Sequence, residues 1–283
     1  MAEGVRWARR VAHLVLTPGS SPAAWRRFAA RADRRSVYDD ASQSLTVLTG
    51  PLAGMIRHGP FVTSDLAFAR GKYESEVVAF LAEHCRPNDI AFDVGANVGY
   101  HTMLLSRLVG PKGRVVAFEP VPTTAAWLEE TLRRNDLTNV TVLRTALGAS
   151  AGVARMRVGP ASEAGLAHLV DSTTGYRSHF TGETRVIDVP IASIDQLLTA
   201  SELPMPTLIK IDVEGAELQV LRGASETLAI VRPTVVTELW GGENVREGRR
   251  LLESFGYRVS TLRRWRDLVG GSEVEVENVG AAA

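Results

Sequence analysis

The chain of 283 residues balances 32 Lys and Arg against 32 Asp and Glu, which removes the global electrostatic pull expected of a protein that coats nucleic acid. Its length, without repeats or long low-complexity tracts, suits one layered domain with a modest extension. The single cysteine, Cys85, excludes an intramolecular disulfide and points to a reducing, cytoplasmic setting. No apolar run approaches the ~18 residues of a spanning helix, and the stretch 11–16, broken by His13, is too short for a signal-peptide core.

In chain order, residues 1–70 read as a basic extension of helix and hairpin. The first 35 residues carry eight arginines, Arg6, Arg9, Arg10, Arg26, Arg27, Arg31, Arg34 and Arg35, against Glu3 and Asp33. Trp7, Val11, Leu14 and Val15 fall at helical spacing opposite them, a pattern that suits a solvated helix packed on the domain or a contact with an anionic membrane or a protein partner. Two β-like pieces at 45–49 and 53–57, parted by Gly50-Pro51, read as a hairpin.

From Glu74 the pattern becomes helical, with Val77, Val78, Leu81 and His84 on one face and Arg86-Pro87-Asn88-Asp89 as the stop. Strands at 90–94, 114–118, 140–145, 207–213 and 234–239 then alternate with helices at 100–108, 123–134, 216–228 and 245–255. That alternation predicts a doubly wound, mostly parallel α/β sheet covered on both faces. Residues 152–190 interrupt the rhythm with β-like runs at 153–158 and 185–189 around a polar loop, and read as an insertion over one sheet edge, a substrate lid by position. His168 and His179 lie in it. Strands at 257–262 and 273–279 close the sheet as an antiparallel hairpin.

The strongest chemical signal is Asp93-Val94-Gly95-Ala96-Asn97-Val98-Gly99, where the first strand hands over to its helix. Ligands meet a parallel sheet at such carboxyl ends. Gly95 and Gly99 permit a tight turn, and Asp93 is placed to accept a hydrogen bond from an ammonium group. Glu119, ending the next strand, is placed to hold both hydroxyls of a ribose. A dinucleotide loop would need further glycines where Asn97 and Tyr100 stand, and their side chains obstruct a pyrophosphate. A methionine-linked adenosine has no phosphate; it needs an acid for its amino group, small residues at the turn and an acid for its ribose, which is the set present.

From Gly71 to the C-terminus the sequence resembles the FkbM-type methyltransferases. The resemblance rests on Gly71-Lys72-Tyr73-Glu74, the loop and helix start at 93–102, Phe118-Glu119-Pro120, Lys210-Ile211-Asp212-Val213-Glu214-Gly215-Ala216-Glu217, and the proline-led strand at 233–238 ending in Glu238. It implies a seven-stranded class I, Rossmann-like methyltransferase domain over 71–283 that uses S-adenosylmethionine. It also implies that Asp93, Gly95, Ala96, Asn97, Gly99 and Glu119 bind this cofactor, that Tyr73 and Glu74 close over it, and that Thr145 and Ala146 border the adenine. The family carries a His shortly after the strand-ending Glu; here Leu239, Trp240, Gly241 and Gly242 follow.

Methyl transfer to an alcohol is helped by a general base within reach of the hydroxyl. Asp212 is the first choice, because Lys210 and Asp212 share one side of a strand whose tip opens beside the cofactor; Glu214 and Glu238 are the reserves, and Asp212 could instead cap the next helix. The three acids are of a type that holds magnesium, but strand-end carboxylates are common and spacing alone fixes no metal geometry, so no metal is assigned. His101 reads as a packed or capping residue, and Trp240 as either a core anchor or an aromatic platform for an acceptor. The expected activity is O-methylation of a sugar, glycolipid or secondary metabolite, with no nucleic-acid partner and the oligomeric state open. An NAD-dependent oxidoreductase and a non-catalytic nucleoside-binding scaffold are the alternatives.

Overall fold

The structure is a computed structural model that describes residues 37–62, 64–170, 180–200, 203–269 and 272–282. The arginine-rich head and His179 lie outside the described residues. Three short strands, β1 (Tyr38–Asp39), β2 (Ser44–Thr46) and β3 (Ile56–His58), form a small antiparallel sheet. The expected hairpin is therefore wider than its Gly50-Pro51 turn suggested, because residues 47–55 fold as a compact loop in which Val47 and Gly54 exchange bonds with Met55 and Val47 carbonyls. Helices α1 (Asp65–Ala69) and α2 (Ser75–His84) follow.

The main sheet contains β4 (Ile90–Val94), β5 (Arg114–Phe118), β6 (Val140–Leu143), β11 (Leu208–Ile211), β12 (Thr234–Trp240), β13 (Arg258–Val269) and β14 (Ser272–Ala282), in the order β13-β14-β12-β11-β4-β5-β6. β6, β5, β4, β11 and β12 are parallel, while β14 runs antiparallel to both β12 and β13. This is the doubly wound α/β sheet with the C-terminal hairpin that the strand pattern predicts. The chain reverses its build direction between β6 and β11, which puts β4 at the switch point where ligands enter such sheets.

Side-chain alternation along each strand distributes the core. Ala91, Val115, Leu208 and Val236 point to the face covered by α2 and α3 (Tyr100–Val109), in an apolar cluster that also takes in Leu45, Leu48, Leu52 and Phe68 of the lead-in. Ala117, on the same face, meets Leu128 and Leu132 of α4 (Pro122–Arg134). Phe92, Val116, Ile209 and Val235 point the other way, onto α5 (Ile194–Thr199), α6 (Glu217–Arg222), α7 (Ser225–Ile230) and α8 (Gly242–Ser254).

Two local readings are corrected. The single helix expected over 216–228 is two: α6 stops at Gly223, whose missing side chain lets the Gly148 carbonyl approach to 2.0 Å from where a Cβ would sit. Asp195 restarts the chain as α7 by accepting the backbone N–H groups of Glu226 and Thr227. The strand expected over 140–145 leaves the main sheet after Leu143, and β7 (Ala146–Leu147) pairs instead with β10 (Arg185–Ala192). With β8 (Gly152–Val158) and β9 (His168–Leu169) these make a separate four-stranded sheet, in the order β7-β10-β8-β9. Its apolar face, with Met156, Val158, Leu169 and Val189, packs on Val121 and Ala216 at the carboxyl ends of the main sheet.

Candidate active site

A cavity of about 340 Å³ lies at the carboxyl ends of β4, β5 and β11. Its floor is the turn 95–99, in which Gly95 (φ +77°), Asn97 (φ +49°) and Gly99 (φ +96°) all adopt left-handed backbone. Gly95 and Ala96 donate their backbone N–H groups to the Phe118 carbonyl, tying the turn to β5. A Cβ at Gly95 would fall 1.8 Å from the Asp212 carbonyl oxygen, so glycine here lets the β4 and β11 tips touch.

Glu119 stands at the tip of β5 in the cavity wall. One carboxylate oxygen accepts the Asn97 N–H and the other the Val121 N–H, both at 2.9 Å. Burial pushes its carboxyl up to about 7 against the pull of these two bonds. Each oxygen keeps a free lone pair for a ligand hydroxyl. Thr145 and Ala146 line the same end of the cavity.

The other end is formed by Tyr73, His101, Lys210, Asp212 and Glu214. Asp212 follows β11 directly, half-buried, 3.5 Å from the Lys210 ammonium. It also borders a smaller recess shared with Glu74, Glu238, Thr237 and Asn278. Glu238, on the same sheet face two residues beyond Val236, opens on that recess and does not line the main cavity. Its carboxyl is held well above the usual range by burial and by the negative charges of Asp212, Glu214 and Glu74. Burial and Asp212 likewise raise Glu74 to about 7, with Lys210 opposing.

The structure gives Asp93 a different partner from the one its sequence position suggests. It is fully buried, accepts a hydrogen bond from Thr102 Oγ1 at 2.6 Å and lies 3.3 Å from Lys210 Nζ, without lining the cavity. The ammonium group it holds belongs to the chain itself. Local sequence reading missed this because the pairing is set by register between strands 117 residues apart. Asp212 does not cap α6 either: that loop is held by Glu217, which accepts the N–H groups of Val213 and Gly215. Trp240 is buried, lines neither the cavity nor the recess, and has its backbone carbonyl bonded by Asn244, as a core anchor would be. His168 is buried in β9 and stacks on Phe180.

Two further segments contribute to the cavity, the first of them unforeseen. The lead-in supplies Val62, Ser64, Asp65 and Phe68, with Asp65 paired to the fully buried Arg57. The insertion supplies Ser162, Glu163, Gly165 and Leu166 from a short 3-10 turn (Ala161–Leu166), where Gly165 faces the Asn97 side-chain amide. Among the described residues no group of three His, Cys, Asp or Glu is arranged to hold a metal ion, and no helix is long and apolar enough to cross a membrane.

An adenosine ligand fits this site on two observations: a cavity-facing carboxylate with spare lone pairs at β5, and a turn whose close backbone contact only glycine allows. The sequence model of the methyltransferase FkbM domain matches residues 93–259. Hexuronic acid methyltransferase AglP of Haloferax volcanii is 32% identical over 200 residues, covering 70% of this chain and 76% of its own. The 31-O-demethyl-FK506 methyltransferase FkbM of Streptomyces tacrolimicus is 29% identical over 161 residues, covering 50% of this chain and 61% of its own. Among solved structures, a methyltransferase FkbM of Methylobacillus flagellatus aligns with a TM-score of 0.44 at 17% identity, covering 96% of this chain and 60% of its own. The chain belongs to the FkbM methyltransferase family and is an S-adenosylmethionine-dependent methyltransferase.

Proposed function

We propose that the enzyme methylates a hydroxyl oxygen of a sugar or secondary-metabolite acceptor, with Asp212 receiving the hydroxyl proton. The position of Asp212 carries this reading: of the three acids read from the sequence, it sits at the tip of β11, lines the cavity and has a cation at 3.5 Å. S-adenosylmethionine supplies an electrophilic methyl carbon. The turn 95–99, Glu119, Thr145 and Ala146 hold the adenosine, and Tyr73 and Glu74 close the opposite end. Lys210 tempers Asp212, and Glu214 lies beside it in the wall.

Glu238 has the opposite role. Burial and the neighbouring acids hold its carboxyl well above the usual range, toward the neutral form, and it opens on the smaller recess and not on the main cavity. The 3-10 turn of the insertion roofs the acceptor's approach and excludes water. The names of two relatives support an oxygen-bearing acceptor, one being a hexuronic acid methyltransferase and one a 31-O-demethyl-FK506 methyltransferase.

The test is transfer of labelled methyl from S-adenosylmethionine to a panel of glycosides and hydroxylated metabolites, with Asp212→Asn alongside. The variant is expected to lose roughly 10²- to 10⁴-fold in kcat while binding the cofactor as well as wild type. A label that appears on nitrogen or carbon, or an undiminished variant rate, sinks the proposal.

A further inference from the structure

Asp93 lies against Lys210 and Thr102 and does not line the cavity, so an acceptor for the cofactor's amino group must come from the groups that do. His101 presents an unspent one. It is the second residue of α3, 4% exposed, and its ring lines the main cavity. Its Nε2 is buried without a hydrogen bond, 3.5 Å from Glu74 Oε2. A buried polar atom left unpaired is destabilising, and such a vacancy in a binding cavity points to a ligand that fills it.

The surroundings select the charge of that ligand. Burial and the Lys210 cation hold the His101 imidazole well below its usual range, which favours the neutral ring and its lone pair. Behind it stands Glu74, held on left-handed backbone (φ +40°) ahead of α2, and Tyr73 packs against the ring with centroids 6.0 Å apart. A lone pair backed by a carboxylate suits an ammonium group and disfavours a carboxylate. The location suits the cofactor's amino-acid end as well. Glu119 marks the ribose at β5, and His101 and Glu74 flank the tip of β11, which is separated from β5 by β4 alone.

We propose that His101, backed by Glu74, is the acceptor for the α-ammonium of the cofactor, the role its sequence position had suggested for Asp93. The inference rests on the family's cofactor and is independent of the acceptor. Isothermal titration of the full chain with S-adenosylhomocysteine, with its analogue lacking the α-amino group, and with adenosine tests it without any turnover. His101→Leu and Glu74→Gln are expected to weaken S-adenosylhomocysteine by about 10- to 100-fold, and to leave the desamino analogue and adenosine within about threefold of wild type. His101→Gln, which keeps an acceptor, is expected to recover part of the loss. Equal weakening of all three ligands would assign His101 a purely structural role and overturn the proposal, as would unchanged affinity for S-adenosylhomocysteine in a variant whose thermal melting shows it folded. Because no methyl acceptor is present, failure of the O-methylation reading leaves this measurement untouched.

Discussion

Asp93 and Lys210 are register partners across the β4–β11 ladder, and their charged groups meet at 3.3 Å with both side chains closed off from solvent. The pair fastens the two strands whose tips carry the glycine turn and Asp212. A second contact reinforces it, since Lys210 Nζ also donates to the Gly95 carbonyl at 3.1 Å. One lysine thus ties the cofactor turn to the strand that bears the proposed base.

Removal of that cation should be costly because a buried carboxylate would be left uncompensated. Lys210→Met is expected to destabilise the fold by about 3–5 kcal/mol, lowering the melting temperature by roughly 10 °C for a domain of this size. The double variant Asp93→Asn with Lys210→Met should recover part of that loss, since no lone charge remains. Calorimetric melting of the three proteins checks this, and a double variant less stable than the single one contradicts it.

A different class of variant tests the turn itself. Gly95→Ala forces a Cβ into the Asp212 carbonyl, 1.8 Å away, on backbone at φ +77°. Accommodation would have to part the β4 and β11 tips, at a cost of at least about 2 kcal/mol. Cofactor affinity is expected to fall by more than about 100-fold. Gly54→Ala, also at positive φ but with nothing within 4 Å, is the control, with a small stability cost and unchanged binding.

The pH dependence of stability follows from three buried carboxyls. Glu74, Glu119 and Glu217 are each raised to about 7, with burial as the first cause, against roughly 4.3 in an unfolded chain. Between those values the folded state binds more protons than the unfolded one, so stability is full below about 4.3 and is lost as pH rises through 7. The ligand-free protein is therefore expected to melt at a lower temperature at pH 8 than at pH 5.5 on account of these groups. Glu119→Gln, which keeps an acceptor for the Asn97 or Val121 N–H but does not titrate, should shrink the difference. A difference unchanged by the substitution would show that Glu119 does not contribute to it.

Much of this architecture is readable from residue order because its signals are local. The turn 93–99 and Glu119 at the next strand's end lie within about one βαβ unit, so spacing alone places them together. Helix α5 carries an equally local signal that the sequence reading passed over: Ser193 accepts from the Gln196 N–H and the Gln196 side chain accepts from the Ser193 N–H, a capping box spelled out by Ser193-Ile194-Asp195-Gln196. The partnership of Asp93 with Lys210 could not be read in this way, since it depends on which two strands become neighbours and in what register. The same holds for Arg57 and Asp65, whose pairing in the cavity wall depends on how the lead-in folds back.

The junction at Gly148 and Gly223 bears on how such an enzyme changes its clientele. The small sheet is seated there main chain against main chain, with no side chain between, and the Gly223 carbonyl accepts the Asp195 N–H. Its height there is set by this non-bonded backbone contact, not by whichever residues happen to face the opening. If the acceptor enters under the 3-10 turn, as proposed, Ser162, Glu163 and Leu166 are the positions where substitution would change its choice while the platform stays level.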